Sequence, residues 1–131
     1  MQGGSFLSSI GGTVRGGEFK AGRITHALKL EAYAHDFYWA GWSGSGPGCF
    51  AWPALACDGY AQQGGSGGYN GTNPLVKPGA LLAVPPGAAP AIRSALRTDP
   101  GKTLLGALEA FGGYIVDDTA GDSGELKRVF G

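Results

Sequence analysis

The chain has 131 residues, enough for one domain that removes roughly two thirds of its unfolded surface from water and folds without a metal or a dense disulfide framework. Ten Lys and Arg cancel ten Asp and Glu, and charged residues make up only 15% of the chain. There is thus no basic field to hold a phosphate backbone or anionic lipid, which argues against nucleic acid as a partner. Near-zero charge with 43% hydrophobic residues leaves little repulsion between copies, so a homo-oligomer or a separate partner chain is expected.

In chain order, residues 1–12 have neither a basic start nor an apolar run of signal-peptide length, which suits a mature product or an excised fragment. Short extended pieces are expected at 6–10 and 13–15. The clearest strand covers 24–33, where Ile24, His26, Leu28 and Leu30 alternate with Thr25, Ala27, Lys29 and Glu31, the period-two signature of a half-buried antiparallel strand. A glycine-rich loop at 41–48 follows. Residues 50–55 read as a short strand or an edge, because Pro53 cannot donate a ladder hydrogen bond. Residues 62–74 form a long polar loop, of a length usually reserved for function or disorder. Ala80 to Val84 suits a buried strand closed by Pro85 and Pro86. Asp99 as N-cap, Pro100 at the first helical position and Gly112-Gly113 as the stop predict an amphipathic helix over about 100–111, packing by Leu104, Leu105, Leu108 and Phe111. A strand over 114–116 leaves it. No segment approaches the length of a membrane span, and there is no internal repeat.

Many short strands, glycine turns and one amphipathic helix predict a mostly β single domain, a β-sandwich or jelly roll with an appended helix; a five-stranded barrel is the alternative. Cys49 and Cys57 are the only cysteines. Their short spacing predicts a local disulfide, with two buried thiols as the alternative, and the composition suits an extracellular setting, where such bridges persist.

Residues 37–76 concentrate the chemistry. They hold eight of the fourteen aromatics, all three tryptophans and a single charge, Asp58. Flat rings with so little charge either pack together or meet an uncharged ligand. Trp39, Trp42, Tyr60 and Tyr69 are the candidate stacking residues for a sugar, with Gln62, Gln63, Asn70 and Asn73 as hydrogen-bonding groups. Trp52, beside Pro53 and between the cysteines, reads as structural packing. His26, Glu18 and Asp58 are the catalytic candidates: Glu18 could orient the His26 imidazole across a hairpin, and Asp58 with Asp117 or Asp118 could form a glycosidase carboxylate pair. For each of these the bland alternative is a structural hydrogen bond, ion pair or turn. Asp117, Asp118 and Asp122 could together hold calcium, although their spacing fits no EF-hand, and no other cofactor is implied. Asn70-Gly71-Thr72 is a glycosylation sequon, meaningful in a eukaryotic secretory host.

Several segments, Ser5-Phe6-Leu7-Ser8-Ser9-Ile10-Gly11-Gly12-Thr13-Val14-Arg15, Gly17-Glu18, Ile24-Thr25-His26-Ala27-Leu28, Trp52-Pro53-Ala54, Cys57-Asp58-Gly59-Tyr60, Asn70-Gly71-Thr72-Asn73-Pro74 and Gly112-Gly113-Tyr114-Ile115-Val116-Asp117-Asp118, resemble the C-terminal portion of a group of secreted microbial β-sandwich or jelly-roll proteins of no established activity. The resemblance implies a secreted β-sheet body with an open edge that another copy or chain covers. The function expected on these grounds is binding or processing of a neutral polysaccharide. The alternatives are a self-assembling subunit of an extracellular layer or filament and one half of a split carbohydrate-active enzyme.

Overall fold

The fold is taken from a computed structural model, which describes residues 3–41, 47–63 and 67–119. Trp42 and Asp122 lie outside the described residues. In chain order the elements are α1 (Glu18–Ala21), β1 (Leu28–Ala32), α2 (Ala34–Phe37), a 3-10 turn (Pro47–Cys49), β2 (Leu81–Leu82), α3 (Ala89–Ala95), α4 (Asp99–Ala110) and β3 (Gly113–Asp118).

The three strands form one sheet in the order β1-β3-β2. β2 is antiparallel to β3, with Leu81 opposite Tyr114 and Leu82 opposite Gly113. β1 runs parallel to β3, since the Leu28 amide donates to the Gly112 carbonyl at one end and the Thr119 amide to the Ala32 carbonyl at the other. A β-sandwich or jelly roll needs a second sheet to cover the first. Among the described residues there is one small mixed sheet and four α-helices, so the mostly β expectation is overturned.

The reason lies in the backbone pairing. Of the expected strand at 24–33 only Leu28–Ala32 is extended in a ladder, because α1 and its C-cap Gly22, at φ 68°, turn the preceding residues away from the sheet edge. Residues 50–55 form no strand; the Ala51 amide donates to Pro78, Ala54 to Ala51 and Leu55 to Ser5, three bonds in three directions that no ladder could supply. The Ala80 to Val84 run shortens to the two residues of β2, both exposed, and the expected pieces at 6–10 and 13–15 are turns and loop apart from one bridged residue, Leu7.

The chain divides into two compact units. The first holds the described residues within Met1–Ser8, Leu30–Ala80 and Ile115–Gly131. Its core is Ala34, Tyr38, Ala61, Tyr69 and Ile115, with Ala32, Cys57, Tyr60, Val76 and Ala80 against them. Two of these residues are tyrosines, so burial here brings hydroxyls indoors, each of which needs a partner.

The second unit holds Ser9–Lys29 and Leu81–Tyr114, with Ile24, Leu28 and Ala107 at its centre and Val14, Leu104 and Leu108 around them. The expected helix is α4, shifted at its start by one residue. Thr98 is the N-cap, its Oγ1 accepting from the Gly101 amide at 3.2 Å, so Asp99 and Pro100 sit inside the first turn, where a carboxylate and a proline are both favoured. Gly112, at φ 71°, ends the helix in the left-handed conformation that costs glycine nothing. Leu105 is buried and Leu104 and Leu108 pack on the core, whereas Phe111, at the stop, is exposed. α3 opens with Pro90 near its N-terminus and is tied to α4 by an Arg93 to Glu109 ion pair.

Candidate functional site

Three arrangements carry the chemistry of the chain. Two belong to the first unit and one to the second.

The first is the loop closed by the Cys49–Cys57 disulfide, whose Cα atoms are 5.9 Å apart. The expected bridge is therefore present. Cys49 and Ala54 are buried, and the loop is pinned from outside by the Ala51 to Pro78 and Leu55 to Ser5 hydrogen bonds, at 2.8 and 3.0 Å, and by Lys77, whose Nζ donates to the Gly48 carbonyl. Trp52 stands at the middle of this loop, joined to Pro53 by a cis peptide bond, and is 84% exposed. The structural-packing reading of Trp52 is thus reversed. A loop this short has no interior, so with Ala54 taking the inward position the central side chain has only solvent to enter. That constraint was present in the cysteine spacing and could have been used. Leu55, also exposed, follows three residues later.

The four residues expected to stack on a sugar are placed differently. Tyr69 is 2% exposed and sits in the core, so its ring offers no face to a ligand. Tyr60 is half-buried and meets Tyr69 edge to face, ring centres 6.4 Å apart. Trp39 is half-buried; its amide donates to Val76, and its indole lies across Gly41, where any side chain would collide with it. Trp42 lies outside the described residues. Gln62, Gln63, Asn70 and Asn73 are exposed.

The second arrangement is a cluster of tyrosines and carboxylates. Tyr69 donates its hydroxyl to Asp58 Oδ2 at 2.6 Å and accepts from the Asp58 amide at 3.3 Å. Tyr60 donates to Asp118 Oδ2 at 2.6 Å, and Asp118 Oδ1 accepts from the Ala34 amide at 2.7 Å, capping α2. Tyr38, fully buried, donates to the Asp117 carbonyl and accepts from the Ala32 amide. Asp117 Oδ1 accepts from the Asp118 amide. Burial pushes the Asp58 carboxyl up, the Tyr69 hydroxyl partly offsets this, and the negative charges of Asp117 and Asp118 push it further in the same direction. All three tyrosine hydroxyls are raised above the ordinary phenol range, burial being the largest cause in each. The structure therefore brings Asp58, Asp117 and Asp118 into one electrostatic neighbourhood, with the phenols as their donors. For the calcium expectation, no group of three or more His, Cys, Asp or Glu among the described residues is arranged to hold a metal ion, and Asp122 lies outside them.

The third arrangement, in the second unit, is Glu18 with His26. The residues between them form the single turn of α1 rather than a hairpin, yet the pair meets: His26 Nε2 is 3.2 Å from Glu18 Oε1 and 3.3 Å from Oε2. His26 Nδ1 is 2.8 Å from the Ala27 carbonyl, which can only accept, so Nδ1 carries a proton. The Arg15 amide donates to Glu18 Oε2 at 2.6 Å, and this bond is the largest reason the Glu18 carboxyl is held below its usual value, with His26 contributing next among the lowering causes. Both imidazole nitrogens are engaged by oxygen. The geometry is that of an imidazole tying a helical turn to the start of β1. His35, beside the aromatic stretch, likewise donates from Nδ1 to the Gly68 carbonyl at 3.1 Å.

Among the described residues no helix is long and apolar enough to cross a membrane. Compared with known proteins, the chain matches no family model, no curated protein and no solved structure.

Proposed function

We propose that this chain is a secreted module that binds a neutral polysaccharide, with Trp52 as the ring on which a sugar stacks. The observation that carries the reading is an indole 84% exposed on a loop closed by a disulfide and pinned by backbone hydrogen bonds. A large apolar ring costs free energy in water, and a rigid support removes the ordering cost of binding, so both favour an occupant. An uncharged occupant suits this surface, because residues 37–76 carry no charge but Asp58, which is turned to Tyr69, and the adjacent Lys77 is held by the Gly48 carbonyl. The exposed amides of Gln62, Gln63, Asn70 and Asn73, in the same unit, suit hydroxyl groups. The disulfide supports the extracellular setting.

Covering one indole face removes roughly 80 to 120 Å² of apolar surface, about 2 to 3 kcal/mol. Retention on a panel of soluble and insoluble neutral glycans, followed by titration of Trp52→Ala, tests this: the variant should bind about 30- to 150-fold more weakly. Failure of the native chain to bind any glycan, or equal affinity of the variant, would reject the reading.

One observation favours a second reading, a self-assembling subunit. β2 is an edge strand whose Leu81 and Leu82 are both exposed, and an apolar edge invites another strand. Light scattering across a concentration series decides it: a monomer at every concentration would count against assembly.

A further inference from the structure

Residues 3–7 lie directly on the carboxylates of the tyrosine cluster. A Cβ at Gly4 would collide with Asp58 Oδ1, and one at Gly3 with the Asp117 carboxylate, so two glycines stand where the backbone must come close to two acids. Ser5, 1% exposed, donates its hydroxyl to the Val116 carbonyl, and the same hydroxyl accepts from the Leu7 amide at 3.2 Å. The Ser5 carbonyl accepts from the Leu55 amide at 3.0 Å. Phe6 is held at φ 58°, a conformation that is an outlier for a bulky residue. A short segment thus covers Asp58 and Asp117 while in a backbone state that has to be enforced by its contacts.

We propose that residues 3–7 form a pH-gated strap, seated over Asp58 when that carboxyl is protonated and lifted when it ionises. Seated, Gly4 shields the carboxyl from water. Lifted, the carboxylate is hydrated, and ionisation becomes easier; by linkage, ionisation therefore favours lifting. Among the described residues, Tyr69 supplies a neutral hydroxyl to Asp58, and Asp117 and Asp118 on β3 act on it as negative charges. Asp58 in turn acts on Tyr38 and on Tyr60, which are neutral phenols. Each unit by which the seated carboxyl exceeds the lifted one in pKa is worth a factor of ten in the opening equilibrium. Lifting also frees the Leu55 amide in the disulfide loop, three residues from Trp52, so the strap and the exposed indole are coupled. The gate itself does not depend on what Trp52 binds.

Amide hydrogen exchange, corrected for intrinsic rates, tests the gate on the full chain. The Leu55 amide, bonded to the Ser5 carbonyl, reports the strap; the Tyr69 and Gly71 amides, bonded to Ala61 and Tyr38, serve as references in the same unit. From pH 4 to pH 8 the protection of Leu55 should be lost relative to the references. Asp58→Asn should hold the Leu55 amide at the high, acid-like protection at every pH, and Gly4→Ala should leave it poorly protected at every pH. A pH-independent ratio in the native chain overturns the proposal, even should Asp58→Asn fail to fold, and so does a pH dependence that survives in Asp58→Asn.

Discussion

Replacing Tyr69 by Phe isolates the chemistry of the buried cluster, because the ring and its packing remain while one oxygen is removed. That oxygen donates to Asp58 Oδ2 at 2.6 Å and accepts from the Asp58 amide at 3.3 Å. A hydrogen bond to a charged group contributes about 1.5 to 3 kcal/mol, and a backbone donor left without a partner costs a further increment, so the loss at pH 7 should be about 2 to 4 kcal/mol. For a chain of this length that corresponds to roughly 8 to 16 °C in Tm. The deficit has a pH signature. The lost bond lowers the Asp58 carboxyl while burial raises it, so the variant carries a carboxyl raised further than the native one and binds its proton more tightly. Its folded state is therefore penalised more as pH rises from about 4, where the unfolded carboxyl begins to ionise, through the raised folded value. Urea denaturation at pH 4 and pH 7, with Asp58→Asn and the double variant closing the cycle, should show a smaller deficit at pH 4 and in the Asn background. A deficit below about 0.5 kcal/mol at pH 7, or one of equal size at both pH values, would refute the account.

Two further outcomes rest on the same residues. Tyr38, Tyr60 and Tyr69 are raised in the folded state, so their contribution is fully present below about pH 10 and is lost as pH rises beyond it toward the folded values. Absorbance at 295 nm should thus record their ionisation together with loss of the circular dichroism of the fold, and completion of all five tyrosine titrations with the fold intact would contradict this. Replacing both cysteines by serine opens a loop of eight-residue separation; the chain-entropy estimate is about 2 to 3 kcal/mol, and under the proposed function glycan affinity should fall with it because Trp52 loses its disulfide support. Unchanged affinity would show that the backbone ties alone position the indole.

α4 was legible because its signals are local: a polar cap, a proline in the first turn, leucines at helical spacing and glycine at the stop each act within a few residues. One-residue uncertainty at its start arose because Thr98 and Asp99 are both good caps. α3 carries the same kind of signal, with Pro90 in its first turn. The nearness of Glu18 to His26 was also readable, since eight residues with Gly22 among them can reverse the chain; only the means, a helical turn, differed. The disulfide followed from count and spacing.

The sequence by itself determined the bridge between Cys49 and Cys57 and α4, because each depends on residue types close together in the chain. Only the tertiary structure decided the rest. Alternation at 24–33 marks a strand wherever a ladder is available, and among the described residues the small sheet offers partners only from Leu28 onward. Trp52 stands among alanine, proline, phenylalanine and leucine and Tyr69 among glycines, asparagine and threonine, yet it is Tyr69 that is sealed in the core and Trp52 that faces solvent. That choice was made by contacts distant in sequence: Tyr38 and Ile115 close over Tyr69, whereas Ser5 and Pro78 hold the disulfide loop from its backbone and leave its indole outside.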